Sequence, residues 1–178
     1  MSEAQLAAGQ PSTAVSIRNA EGGDLPRIVA IYNHYVINTP ITFDLEPVTA
    51  EERRAWLAQF SATGRHRLLV AEQDGVVAGY AGSHQFRTKK AYDTSVEVTI
   101  YLAPESTGRG IGTLLYRALF EALAGEDLRV AVAGTTLPND ASVALHERFG
   151  FASVGVMHDV GRKFGRYWDV AWYEKCLG

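Results

Sequence analysis

Tyr101-Leu-Ala-Pro-Glu-Ser-Thr-Gly-Arg-Gly-Ile-Gly-Thr113 is the stretch on which the fold turns. A run from about Thr94 to Leu102, rich in valine, threonine and isoleucine, reads as a strand and ends at Ala103-Pro104. Gly108, Gly110 and Gly112 then lead into a helix from Gly110 to Ala124, apolar at Ile111, Leu114, Leu115, Ala118, Leu119, Ala122 and Leu123. Glycines accept positive φ and let a ligand approach the backbone closely. A helix start offers unpaired N–H groups and the positive end of a dipole, so strand, turn and helix together suit a pyrophosphate. Alone, three alternating glycines fit a flexible loop before a helix equally well. The turn lacks the lysine of a P-loop, which argues against nucleoside triphosphate hydrolysis.

Working outward, Val15–Arg18 reads as a first strand, and Asp24 starts a helix with apolar Leu25, Ile28, Val29, Tyr32, Tyr35 and Val36 on one face. Thr49, with Glu51 and Glu52 behind it, starts a second helix to about Phe60, burying Trp56 and Leu57. Arg67–Glu72 and Val76–His84 form a hairpin around Asp74-Gly75. After the glycine helix come a strand at Leu128–Thr135, a helix at Ala141–Phe149 stopped by Gly150, and strands at Phe151–Val160 and Tyr167–Glu174. The order is β-α-α-β-β-β-α-β-α-β-β. It predicts a mixed α/β fold, a seven-stranded sheet with helices on both faces, and parallel pairing at the two crossovers of the second half. It does not describe a Rossmann domain.

The 178 residues suit one domain, expected over 14–178, after a loose polar tail at 1–13. A net charge of −3 disfavours a broad nucleic-acid or anionic-membrane surface. The single cysteine, Cys176, cannot form an intrachain disulfide, and no cysteine/histidine spacing suggests a metal site, so none is expected. No run reaches the ~20 apolar residues of a membrane span, and the first residues lack the character of a secretory signal; a cytoplasmic location is expected by default.

With the glycine turn set beside Leu137-Pro-Asn-Asp-Ala-Ser-Val-Ala-Leu-His-Glu-Arg-Phe-Gly-Phe151, the chain resembles the GNAT superfamily of acetyl-CoA-dependent N-acetyltransferases over roughly residues 15–175. That family's phosphate loop reads Arg/Gln-x-x-Gly-x-Gly/Ala; here Thr107 stands at its first position, and Arg109 can supply the missing positive charge. Ile31-Tyr-Asn-His34, Val96-Glu-Val-Thr-Ile-Tyr-Leu102, Leu137-Pro-Asn-Asp140 and Lys163-Phe-Gly-Arg166 are similar to the phosphinothricin and methionine sulfoximine acetyltransferases. The resemblance implies acetyl transfer to the α-amine of a small amino acid, with two central parallel strands splayed to admit pantetheine by strand addition. It places the cofactor on the backbone of Ile100, Tyr101 and Leu102, on Gly108, Arg109, Gly110, Ile111, Gly112 and Thr113, and on Asn139.

Transfer to an ammonium requires a base. Glu97, set among Val96, Val98, Thr99 and Ile100, is a partly desolvated carboxylate of the right kind, and the resemblance gives the glutamate here the role of general base. A solvent-facing residue on an alternating strand is the plain alternative. His146, two turns after Asn139, stands near the point where many relatives of this family carry a tyrosine acid, and it either donates a proton to the thiolate or bonds a backbone carbonyl. In Phe86-Arg-Thr-Lys-Lys-Ala-Tyr92, Arg87 can grip a carboxylate bidentately, and Lys89 or Lys90 a second anionic group. Tyr92, Phe43, Val98 and Thr99 complete the expected acceptor site.

The competing readings are acetylation of a protein N-terminus or polyamine, and a non-catalytic acyl-CoA sensor. A charged-tRNA acceptor is poorly matched to an acidic chain. Tyr167, Trp168, Trp172 and Tyr173 suit either core packing or a homodimer surface.

Overall fold

The computed structural model describes residues 14–178; the expected tail at 1–13 lies outside the described residues. Seven strands form one sheet in the order β1-β2-β3-β4-β5-β7-β6. In chain order they are β1 (Ser16–Asn19), β2 (Leu68–Gln73), β3 (Val76–Gln85), β4 (Ser95–Leu102), β5 (Val130–Thr136), β6 (Ala152–Lys163) and β7 (Arg166–Cys176). Four helices complete the fold: α1 (Leu25–Asn38), α2 (Ala50–Leu57), α3 (Ile111–Leu123) and α4 (Asp140–Arg148).

Two apolar clusters divide the helices between the faces. Ile28 and Ile31 of α1 pack on Leu68, Val70 and Tyr80, joined by Trp56 and Leu57 of α2, which are half-buried where full burial was expected. On the opposite face Ile111, Leu115, Tyr116 and Leu119 of α3 cover Ala81, Val96, Val98 and Ala131, with Val143 and Leu145 of α4 alongside. α2 begins as its sequence dictates, in a capping box in which the Thr49 hydroxyl and the Glu52 carboxylate satisfy each other's backbone amide. It ends at Leu57, three residues short of the expected Phe60. Arg18 fastens the first strand by pairing with Asp24 at 2.7 Å and Glu72 at 2.7 Å, and holds the Asp24 carboxyl below its ordinary range.

One expectation is corrected. Of the two crossovers only β4-α3-β5 yields a parallel pair. The β5-α4-β6 crossover passes over one strand position, and β7 fills it, antiparallel to both neighbours. The last two strands also run further than their apolar patterns, meeting at Lys163 and Arg166 instead of leaving a loop from Gly161 to Gly165.

Candidate active site

β4 and β5 pair only over Ser95↔Val130, Val96↔Ala131 and Glu97↔Val132. Beyond Glu97 the strands part, β4 keeping to β3 and β5 to β7, and both continue to their ends. The result is a fork whose crotch is Glu97. A cavity of about 230 Å³ fills it, lined by Glu97 to Leu102 on one arm and Gly134 to Thr136 on the other, with Tyr35, Ile41, Thr107, Gly108, Asn139 and His146 around it.

Backbone direction alternates along β4. Thr94 C=O accepts from Arg129 N–H toward β5, whereas Ala103 N–H donates to Ala78 C=O toward β3. By this alternation Val98, Ile100 and Leu102 face the β5 side. The Val98 amide is taken by Val132 in the last rung of the ladder, so the Val98 carbonyl and the backbone groups of Ile100 and Leu102 open into the fork, and Tyr101 turns its own toward Tyr80 of β3. Tyr101 is thus removed from the expected cofactor backbone, because its hydrogen-bonding groups belong to the ladder with β3. The Leu102 carbonyl already accepts a 2.7 Å bond from the Tyr35 hydroxyl.

The glycine turn lies beside the mouth. Gly108 and Gly110 have φ of 70° and 79°, and a Cβ on either would meet nothing within 4 Å. The α3 amides of Ile111 and Gly112 have no carbonyl one turn earlier within the helix. Gly112 brings that helix start close to the fork: a Cβ there would touch Leu145, Ile100 and Leu102 at 3.5–3.7 Å. Arg109 is exposed on the turn, and Arg148 of α4 reaches the Thr113 hydroxyl at 3.3 Å. Open amides, two left-handed glycines and nearby cations fit the pyrophosphate of a nucleotide-bearing cofactor. Arg148 escaped the sequence reading because α4 carries it in from 35 residues away.

Glu97 is half-buried, and burial pushes its carboxyl above the ordinary glutamate range; the Arg87 guanidinium pulls the other way. His84 stands directly across the ladder from it. Thr99 is two residues on and shares its face, but Val98 points the other way, its side chain buried under α3. Val98 therefore offers an acceptor its backbone carbonyl only.

Asn139 lines the cavity and caps α4, its side-chain oxygen accepting from Ser142 N–H. His146 is buried, and both ring nitrogens are occupied. Its Nδ1 lies 2.7 Å from the Ser142 carbonyl, which can only accept, so Nδ1 carries the proton and Nε2 accepts from the Tyr116 hydroxyl at 3.0 Å. Burial lowers the imidazole pKa and keeps it neutral. Of the two roles expected of His146, the arrangement shows the bond to a backbone carbonyl and leaves no ring proton free for a thiolate. Tyr116, a fully buried tyrosine in the apolar stripe of α3, lines the cavity and was missed. A hydroxyl in such a stripe needs a partner, and that need was its only signal.

The basic segment stands to the side of the cavity. Arg87 lies over the Phe86 ring at 4.1 Å, Tyr92 meets the same ring edge-on at 5.9 Å, and Lys89 and Lys90 are exposed. Of these only Arg87 is coupled electrostatically to Glu97. Phe43 packs on the backbone of Gly161 in β6. Among the described residues no cluster of His, Cys, Asp or Glu could hold a metal, and no helix is long and apolar enough to cross a membrane.

A mixed sheet forked between two parallel strands, with a glycine-led helix start at the mouth and a half-buried carboxylate at the crotch, defines an acyl-CoA-dependent acyltransferase. A family described as the acetyltransferase (GNAT) domain matches residues 17–172. The chain belongs to this GNAT family of acetyl-CoA-dependent N-acetyltransferases. It is 56% identical over 170 residues to a phosphinothricin N-acetyltransferase of Streptomyces coelicolor, covering 94% of this chain and 99% of that one. It is 37% identical over 164 residues to an L-methionine sulfoximine/L-methionine sulfone acetyltransferase of Pseudomonas aeruginosa, covering 92% and 95%. A GNAT superfamily phosphinothricin acetyltransferase from Sinorhizobium meliloti, solved with acetyl-CoA, superposes with a TM-score of 0.85 at 34% identity, over 92% of this chain and 89% of that one.

Proposed function

We propose that this enzyme acetylates the α-amine of a small amino acid of the phosphinothricin or methionine sulfoximine type, with Glu97 as general base. The supporting observation is the place of Glu97: a desolvated carboxylate at the crotch of the fork, within the field of Arg87. Bound acetyl-CoA supplies an activated acetyl thioester. The chain's part is to hold and deprotonate. Ile111 and Gly112 amides, with Arg109 and Arg148, receive the pyrophosphate. The Val98 carbonyl and the N–H and C=O of Ile100 offer free groups along the fork. Glu97 takes the ammonium proton onto its carboxylate, directly or through water, and Arg87 attracts the acceptor's carboxylate. His146 serves by fixing Tyr116 and not as a proton donor. The donor is a metabolite of the cell interior, which sets the reaction in the cytoplasm.

The similarity to the Streptomyces and Pseudomonas enzymes favours amino acids with an oxygen-rich tail over polyamines, and the cations of the Phe86–Tyr92 segment favour an anionic acceptor. Two copies join along β6, an edge strand that exposes Val154, Val156, Met157 and Val160. A thiol-release assay with acetyl-CoA and a panel of amino acids, their phosphinate and sulfoximine analogues, and polyamines tests the reading. Turnover concentrated on the amino-acid analogues is expected. Cofactor binding without turnover of any amine would leave the sensor reading instead.

A further inference from the structure

The segment between α1 and α2 leaves the first half of the sheet and comes to rest on the second. It starts over β4, where Tyr35 bonds the Leu102 carbonyl, and by Thr42 and Phe43 it has reached β6. In the sheet order β4-β5-β7-β6 it thus spans both arms of the fork on the face that carries Glu97. Ile41 lines the cavity from within this segment.

Two contacts hold it at its far end. Lys163 is 4% exposed, and its ammonium donates to the Thr42 carbonyl at 2.8 Å, joining positions 121 residues apart. Two residues away on the same face of β6, Gly161 lies against the Phe43 ring so closely that a Cβ would stand within the ring. The near end is fixed to α1, where the Thr39 hydroxyl donates to the Tyr35 carbonyl at 2.9 Å, and the far end is steadied further by the Tyr32 hydroxyl, which bonds Thr42 Oγ1 and Asp44 at 2.7 Å each. A buried ammonium with one hydrogen-bond acceptor is costly to keep, and its field is met by Asp44 and the Phe164 ring. An apolar residue would fill the space more cheaply, so the lysine is explained by what it fastens.

We propose that residues 39–44 form a strap across the acceptor side of the fork, and that Lys163 and Gly161 are positioning residues that hold it, setting acceptor affinity without touching the cofactor. The proposal rests on the reading of the fork as an acetyl-transfer site. The glycine turn flanks the same mouth but leads into α3, which covers the opposite face of the sheet, so loosening the strap shifts the wall at Ile41 and leaves the turn in place.

Lys163→Met and Gly161→Ala attack the two contacts independently. Gly161 is not in the left-handed region, so alanine is resisted there by the Phe43 ring alone. Both variants should raise the acceptor KM about tenfold while the acetyl-CoA KM stays within about twofold. Lys163→Arg, which keeps a donor, should recover part of the loss. Hydrogen exchange on the cofactor-free enzyme should quicken at 39–46 in both variants and not in the glycine turn; this arm needs no turnover, so it separates the strap from the choice of substrate. Unchanged exchange at 39–46, an unchanged acceptor KM, or equal rises in both KM values would overturn the proposal.

Discussion

Glu97 is subject to two opposed influences, and their balance sets its pH behaviour. Desolvation raises its pKa and Arg87 lowers it. As the proposed base, Glu97 acts unprotonated, so kcat/KM should climb as pH rises through the elevated Glu97 pKa and fall away below it. Glu97→Gln should cost about 10²–10⁴ in kcat and abolish that limb, with acetyl-CoA affinity intact; a pH–rate profile and a binding titration check both. Arg87→Ala removes the lowering influence, so the acidic limb should move to higher pH, and the acceptor KM should rise about tenfold if the guanidinium also holds a carboxylate. Glu97 was legible because a carboxylate among β-branched residues is conspicuous in one strand. Tyr116 and Arg148 were not, because each acquires its meaning from a partner brought near only by folding, His146 for one and Thr113 for the other. His146 shows both sides: its spacing from Asn139 was readable, but the two bonds that occupy its nitrogens were not.

At the scale of elements, the glycine turn depends on conformation more than on contact. Gly110 precedes α3 with φ of 79° and open space where a Cβ would stand. Gly110→Ala therefore meets no clash and pays only for the left-handed backbone, about 1–2 kcal/mol. Relief comes by shifting the turn, which moves the amides of Ile111 and Gly112. The expected result is an unfolding free energy, from urea titration, lowered by that amount together with a raised acetyl-CoA KM, the acceptor KM being unaffected; equal KM values in variant and parent would detach the turn from the cofactor. Such elements were readable because strand, turn and helix each leave a local pattern. Their pairing was less so. The insertion of β7 between β5 and β6 is a non-local choice, and nothing in the alternation of either strand records which neighbour it will take. The fork has a similar origin: the splay was implied by the family resemblance, but both strands keep strand-forming residues past the branch point and only the sheet shows that their ladder stops at Glu97.

For the molecule as a whole, the sheet has two unequal edges. β1 spans four residues; β6 spans twelve, exposed along most of its length. A long bare edge with Val154 at 60%, Met157 at 52% and Val160 at 53% exposure is an invitation to pairing that a lone protomer leaves open. A twofold arrangement along β6 closes it with one self-complementary patch. Replacing both Val154 and Met157 with Asp should shift sedimentation from dimer to monomer, and a parent that stays monomeric at high concentration would remove the assignment. Gly161 and Lys163 lie on the same strand as the patch, so the proposed assembly and the proposed strap share β6. Dilution or the double Asp variant should then weaken acceptor binding ahead of cofactor binding, because the glycine turn is anchored on α3 and β4, away from that edge. Parallel losses in both affinities would mean that the edge supports the fold at large and not the strap.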